Sequence, residues 1–229
     1  MVEWNCCICI KKIMELFDIF PNAVCREMYE DHISLKKIVI PMIDDKPLET
    51  NGMSEKLFHL DNQSGKSFLH RNGLEPFKEW LEEQCSKFVR SLGYVLEEKM
   101  VVTDSWLNIC NKGGSQYPHF HTNSYISGTY YLNFKNGHAP LTFRHSDNST
   151  HSSRPAIILE QDTSNPGKYN SDVLVYPNEG ELLLWQSNLS HGYQKNELDY
   201  RISISMNFMP SLVGNDKYSY RVISSQRTE

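Results

Sequence analysis

The sequence predicts a mostly β (α+β) protein, a jelly roll or barrel of about eight or nine short strands with N-terminal helices packed on one sheet. Three observations predict it. From Val101 onward, short segments rich in β-branched and aromatic residues follow one another: VVTDSWLNIC, SGTYYLNF, PLTF, RPAIIL, DVLVY, GELLLW and YRISISMNFM. Between them stand turn residues such as Lys112-Gly113-Gly114, Asn136-Gly137, Asn165-Pro166-Gly167 and Pro177–Gly180. Within the last segment Arg201–Phe208 alternates strictly, even positions apolar and odd positions polar, as a strand does with one face in a core and one face on something wet.

The elements before Val101 are of a different kind. Residues 1–13 have no periodic apolar face and read as an N-terminal extension, non-native or disordered, with Met14 opening the first globular pattern. Leu16–Phe20 reads as a short strand ended by Pro21, and a helix is expected over Asn22–Asp31 with Asn22 as its cap. Lys46–Ser67 is a polar, turn-rich connection. The clearest helix runs over Leu74–Leu92, where Phe77, Trp80, Leu81, Cys85, Phe88 and Leu92 mark one face and Gly93 stands at the C′ position. The expected organisation is one domain: a helical and mixed support over residues 14–100, a β core over 101–210 and a tail over 211–229.

Composition narrows the function. Hydrophobic residues make up 39% of the 229, an ordinary globular share. A net charge of -5 argues against general affinity for phosphate backbones, so a nucleic-acid partner is not expected. No apolar run is long enough to cross a membrane, and the opening MVEWNCCICIKKI lacks a basic start, so a cytoplasmic protein is expected. Six cysteines, three of them crowded at Cys6, Cys7 and Cys9, form no disulfide framework, and no second pair at zinc-finger spacing follows them. This cysteine usage is that of a reducing compartment.

Nine histidines are present, and three have a special arrangement. His119 and His121 stand two apart in QYPHFHTNS, so on an extended segment both face the same way. His191 follows an apolar strand and a turn in LLLWQSNLSHGY. Two ligands from one strand end and a third from a distant strand form a facial set that leaves metal positions open. Ten residues on, Arg201 and Ser203 place a guanidinium and a hydroxyl on one strand face, suited to bidentate capture of a carboxylate. Taken singly, an HxH pair is more often two surface histidines and a strand arginine more often an edge residue. His59, His70, His138, His145 and His151 are expected on the surface or in loops, and Trp106 and Trp185 in the barrel core. The polar stretch Asn148–Asn170 reads equally as a lid over the substrate or as an inert loop.

The order of the motifs carries a resemblance. A Trp106/Asn108 strand is followed by His119-x-His121, then Ser127-Gly128-x-Tyr130-Tyr131-Leu132-Asn133, then Pro177-x-Glu179-Gly180 leading to Leu182–Trp185, then His191, then Arg201-x-Ser203-x-Ser205. This resembles the 2-oxoglutarate–Fe(II) oxygenase superfamily, nearest to a bacterial and phage branch whose core is like that of prolyl hydroxylases. It covers residues 100–210 well, 14–100 loosely and 1–13 not at all. The resemblance implies a double-stranded β-helix, Fe(II) held by His119, His121 and His191, and 2-oxoglutarate as cosubstrate. It implies Arg201 on the distal carboxylate with Ser203 beside it, Tyr131 donating to the same carboxylate, and Asn108 and Tyr117 as further wall residues. One departure stands out: most of the superfamily has Asp or Glu where this chain has His121. A register using His121 with Asn123 supplies a poorer second ligand than His119 with His121.

The implied activity is that of a dioxygenase that turns 2-oxoglutarate into succinate and CO2 while oxidising a substrate C–H bond. A protein or peptide side chain is the first substrate class expected, prolyl before others, with a small molecule next. Two rivals use the same architecture. One is a cupin-like three-histidine metal protein without cosubstrate, which leaves Arg201 and Ser203 unexplained. The other is a non-catalytic jelly-roll binding module.

Overall fold

The computed structural model describes residues 22–44, 49–50, 54–60, 67–144, 162, 164 and 172–222. An edge strand β1 (Val24–Met28) comes first and a helix α1 (His32–Asp44) follows it. Two further strands, β2 (Glu49–Thr50) and β3 (Ser54–Leu60), precede a short 3-10 turn over Phe68–His70 and the helix α2 (Glu75–Ser91). The remaining strands are β4 (Met100–His119), β5 (Ile126–Asn133), β6 (Leu141–Arg144), β7 (Val173–Val175), β8 (Glu181–Gln186), β9 (Ser190–Tyr193) and β10 (Arg201–Pro210). A small hairpin, β11 (Leu212–Gly214) with β12 (Ser219–Arg221), closes the described chain.

Every pairing is antiparallel, and the strands run β1-β8-β5-β10-β4-β9-β6-β7, with β2 and β3 joining at β4. The curl comes from β4. Met100–Cys110 pairs with β10, Leu107–Gln116 with β3, and the far end, from Gln116 to His119, with β9. One strand thus serves both sheets and folds them into a double-stranded β-helix. At this turn Gly192 permits the close approach, since a Cβ there would meet the Gln116 carbonyl at 2.6 Å.

The sheets divide their faces by the period-2 rule. On β10, Ile202, Ile204, Met206 and Phe208 join the main core, while Arg201, Ser203, Ser205 and Asn207 take the other face. Helix α2 covers that core with Phe77, Leu81, Cys85 and Phe88, all buried, and ends before Gly93, whose φ of +90° suits a glycine C′ residue. A second cluster, with Tyr131, Phe134, Leu141, Phe143, Leu183 and Trp185, lies between the sheets. The main core therefore lies on the helix side, which leaves the inside of the roll for polar groups.

Several expectations need correction. Residues 24–28 form an edge strand on β8, not part of a helix, and the helix starts at His32. Cross-sheet partners decide this, because Arg26 makes a two-pronged ion pair with Glu181, Nε to Oε1 2.7 Å and Nη2 to Oε2 2.8 Å. The connection expected over Lys46–Ser67 holds the strand β3, and β4 runs on through Gly113 and Gly114, where a turn was expected. His59 is buried on β3 rather than on the surface or in a loop, whereas His138 lies in the β5–β6 loop as expected, buried there and bonded to the Asp199 carbonyl at 3.0 Å. Residues 1–13, the segments Leu16–Phe20 and RPAIIL, His145, His151 and nearly all of Asn148–Asn170 lie outside the described residues. Among the described residues no helix is long and apolar enough to cross a membrane.

Candidate metal and cosubstrate site

His119 and His191 face each other as strand partners on β4 and β9. Just past the end of β4, the His121 backbone N–H donates to the Ser187 carbonyl at 3.0 Å and brings its ring to the same place. The three ring centroids lie 4.5–5.1 Å apart, and one nitrogen from each ring lies within 4.8 Å of the others. Asn123, the alternative ligand, is exposed at a φ of +57° and does not line the cavity. The HxH register is the one that converges.

Each ring is oriented by its second nitrogen. His119 Nδ1–H donates to the Tyr117 carbonyl at 2.9 Å, and His191 Nδ1–H donates to the Leu189 carbonyl at 2.8 Å. His121 Nδ1–H donates to Asn207 Oδ1 at 2.6 Å, an oxygen that also accepts from the Ser127 hydroxyl at 3.1 Å. Carbonyl oxygens accept and cannot donate, so all three rings carry their proton on Nδ1 and offer the Nε2 lone pair. Burial lowers the pKa of all three, that of His191 most, and each holds the ring neutral near pH 7, the form a metal needs. Trp185 packs against His191 with ring centroids 4.7 Å apart.

Along the inner face from the triad lies Arg201, 2% exposed. Its Nε–H donates to the Ala139 carbonyl at 3.1 Å, and its guanidinium carbon lies 4.1 Å from the Tyr193 ring centre and 5.2 Å from that of Tyr131. Among the described residues no carboxylate pairs with it, an arrangement too costly for a buried cation unless an anion arrives. The Tyr131 hydroxyl is fully buried. Burial raises its pKa and the Arg201 charge opposes that, yet no hydrogen bond of good geometry satisfies it. Among the described residues the Asn108 Oδ1 and the Trp185 Nε1 are likewise buried without partners. One cation and two unpaired donors, the Tyr131 hydroxyl and the Trp185 Nε1–H, around one cavity fit a small dianionic ligand.

The cavity is lined by the three histidines with Arg201, Ser203, Tyr131 and Asn108, so these sequence-predicted residues are brought together. Tyr117 is not. Its side chain is 52% exposed and lines a groove on the outside with Glu55, Thr142 and Arg144. The β4–β9 pairing shifts between Gln116 and His119, so Gln116 and His119 both reach the cavity and Tyr117 turns outward. Trp106, expected in the core, lines the cavity instead, with its ring centre 5.8 Å from that of His121. Tyr193, Asn207 and Ser127 were not expected at the site, and only strand register signals their place there.

A family model described as "Putative 2OG-Fe(II) oxygenase" matches residues 104–207, the stretch that carries every one of these cavity residues. A comparison with curated protein sequences finds none that matches the chain. Among solved structures, a Pseudomonas putida prolyl-4-hydroxylase superposes with a TM-score of 0.55 at 10% identity, over 82% of this chain and 92% of that one. HygX from Streptomyces hygroscopicus, solved with nickel, 2-oxoglutarate and hygromycin B, gives 0.51 at 10% identity over 83% of each chain. The non-heme α-ketoglutarate-dependent epimerase SnoN from nogalamycin biosynthesis gives 0.56 at 10% identity over 83% of this chain and 77% of its own. At such identities these likenesses speak for the fold, the double-stranded β-helix. Over residues 104–207 the chain is similar to the 2-oxoglutarate–Fe(II) oxygenases, and the surrounding fold is the double-stranded β-helix that such enzymes share.

Proposed function

We propose that this chain is an Fe(II)- and 2-oxoglutarate-dependent dioxygenase whose metal is held by Nε2 of His119, His121 and His191. The observation that carries the reading is the set of three Nδ1–H groups already engaged by carbonyl-type oxygens, so that three lone pairs point at one place. Arg201 and Ser203 hold the far carboxylate of 2-oxoglutarate, with the Tyr131 hydroxyl as a further donor and Asn108 on the wall. Iron and cosubstrate together supply the oxidation of a substrate C–H bond as 2-oxoglutarate becomes succinate and CO2. The protein's own residues orient the ligands, neutralise the carboxylate and keep water from the reacting face.

Three imidazoles leave the centre one charge more positive than two imidazoles and a carboxylate. Imidazole nitrogens suit iron, and the missing negative charge favours an anionic cosubstrate there. A cupin-like reading leaves the buried Arg201 with no anion, and a purely binding module leaves the matched tautomers without purpose.

The substrate class proposed is a protein or peptide side chain, prolyl first, in keeping with the fold shared with the Pseudomonas putida prolyl-4-hydroxylase. A small molecule comes second, since HygX was solved with hygromycin B. Hydroxylation is the reaction proposed, with the fold of SnoN, an epimerase, as the reminder that the product must be identified. The test is succinate formation from 2-oxoglutarate with Fe(II) and oxygen, alone and with prolyl peptides or polyhydroxylated small molecules. Stimulation by a peptide, with a mass gain of one oxygen, supports the proposal. Absence of succinate under every condition, with iron loaded, removes it.

A further inference from the structure

Across the inner face of the larger sheet one transverse row is wholly polar. His59 on β3 stands opposite Asn108 on β4, Asn108 opposite Ser203 on β10, and Ser203 opposite Tyr131 on β5. Strand partners in register point to the same face, so the four side chains form a band over four strands. The next row toward the strand end bearing Arg201 is Leu57, Cys110 and Arg201, and the row on the other side is Trp106, Ser205 and Thr129. Three members of the polar band belong to the cosubstrate wall proposed above. His59 is the fourth.

His59 is 1% exposed, and neither ring nitrogen has a hydrogen-bond partner among the described residues. The neighbouring Asn108 spends its Nδ2 on the Ser205 hydroxyl at 2.9 Å and leaves Oδ1 buried and unpaired. Each such atom is costly to bury when nothing satisfies it. A position that only fills space would be served better by an aliphatic residue, and Leu57, two residues earlier on the same face, is one. A neutral imidazole has one donor and one acceptor, and the Asn108 Oδ1 needs a donor. Burial lowers the His59 pKa and Asn108 opposes it, consistent with a ring that stays neutral within reach of that amide.

We infer that His59 is a positioning residue of the cosubstrate pocket, holding the Asn108 amide, directly or through one water, in the orientation that receives 2-oxoglutarate. The inference rests on the reading of this cavity as a 2-oxoglutarate site. Its test is calorimetric binding of 2-oxoglutarate to the Mn(II)-loaded, oxygen-free protein, together with Mn(II) affinity and the melting temperature of the metal-free protein. His59→Leu trades one polar pairing for the burial of an apolar side chain, so it should melt close to wild type and bind Mn(II) equally. It should bind 2-oxoglutarate about tenfold more weakly. His59→Gln keeps a donor and an acceptor and should return to within about threefold of wild type. Equal 2-oxoglutarate affinity in wild type and His59→Leu overturns the inference. Joint loss of melting temperature and Mn(II) binding, with His59→Gln no better, makes His59 a structural residue and overturns it too. If the wild type itself binds Mn(II) but no 2-oxoglutarate, the cosubstrate reading of the cavity fails first.

Discussion

The three candidate ligands differ in what holds them. Backbone carbonyls orient His119 and His191, whereas a side chain, Asn207, orients His121. That makes the His121 orientation accessible to mutation. Asn207→Ala frees the His121 ring and should weaken iron binding by about 10–100-fold, the usual effect of removing such a partner. Asn207→Asp keeps an acceptor and should retain most of the affinity. Competition with a fluorescent chelator reads both, and equal affinity in all three proteins would show that Asn207 does not orient the ring. For Arg201 the fork matters as much as the charge. Arg201→Lys should raise the apparent constant for 2-oxoglutarate by at least about tenfold while iron content stays the same. Unchanged 2-oxoglutarate affinity would take Arg201 out of the site. At this scale the sequence displayed the ligands but not their partners. Arg201-x-Ser203 lies within a single strand and His119-x-His121 straddles the end of one, where an extended chain's spacing alone reports a shared face. Asn207, Ser127 and Tyr193 acquire their roles from strands distant in sequence, and a one-residue irregularity sent Tyr117 to the wrong side of β4.

Among the elements, α2 is the most legible, because its apolar stripe, Pro76 in the first turn and Gly93 past the end agree with one another. The stripe does not reveal that the helix is also pinned by a buried acid. Glu82, 2% exposed at its side chain, meets Lys78 at 2.9 Å, Lys99 at 2.6 Å and the Val102 N–H at 3.2 Å. Burial raises its pKa, but the bonds from Lys99, Lys78 and Val102 prevail and hold it below the usual carboxylate value of 4.5. A depressed folded-state pKa gives stability that is present above the unfolded value and lost as pH falls through the folded one. Glu82→Gln should therefore cost about 1–3 kcal/mol at pH 7, and the gap from wild type should narrow well below pH 4.5. Denaturant titrations at both pH values decide it, and a gap independent of pH would mean that the charge contributes nothing. The strands β1 and β3 were illegible for a related reason. β1 is a short edge strand on β8, and β3 lies between β2 and β4, so pairing with strands distant in sequence defines both and leaves no local periodicity to read.

At the scale of the whole molecule, the alternation in β10 foretold how the roll divides its interior. Ile202, Ile204, Met206 and Phe208 serve the helix-covered core, and the intervening polar residues serve the cavity. The count of short strands foretold a jelly roll, but the double duty of β4, which curls one continuous sheet around the site, is a matter of pairing and not of composition. The same architecture can carry a metal centre, a remnant of one, or none, so the central claim is that the three histidines jointly bind iron. The direct measurement is iron stoichiometry after anaerobic loading of the wild type and of His119→Ala, His121→Ala and His191→Ala, each verified as folded by its far-ultraviolet dichroism. One iron per wild-type chain and a sharp loss in all three variants is the predicted result. Full retention in His121→Ala, or no iron in the folded wild type, would contradict the three-histidine centre.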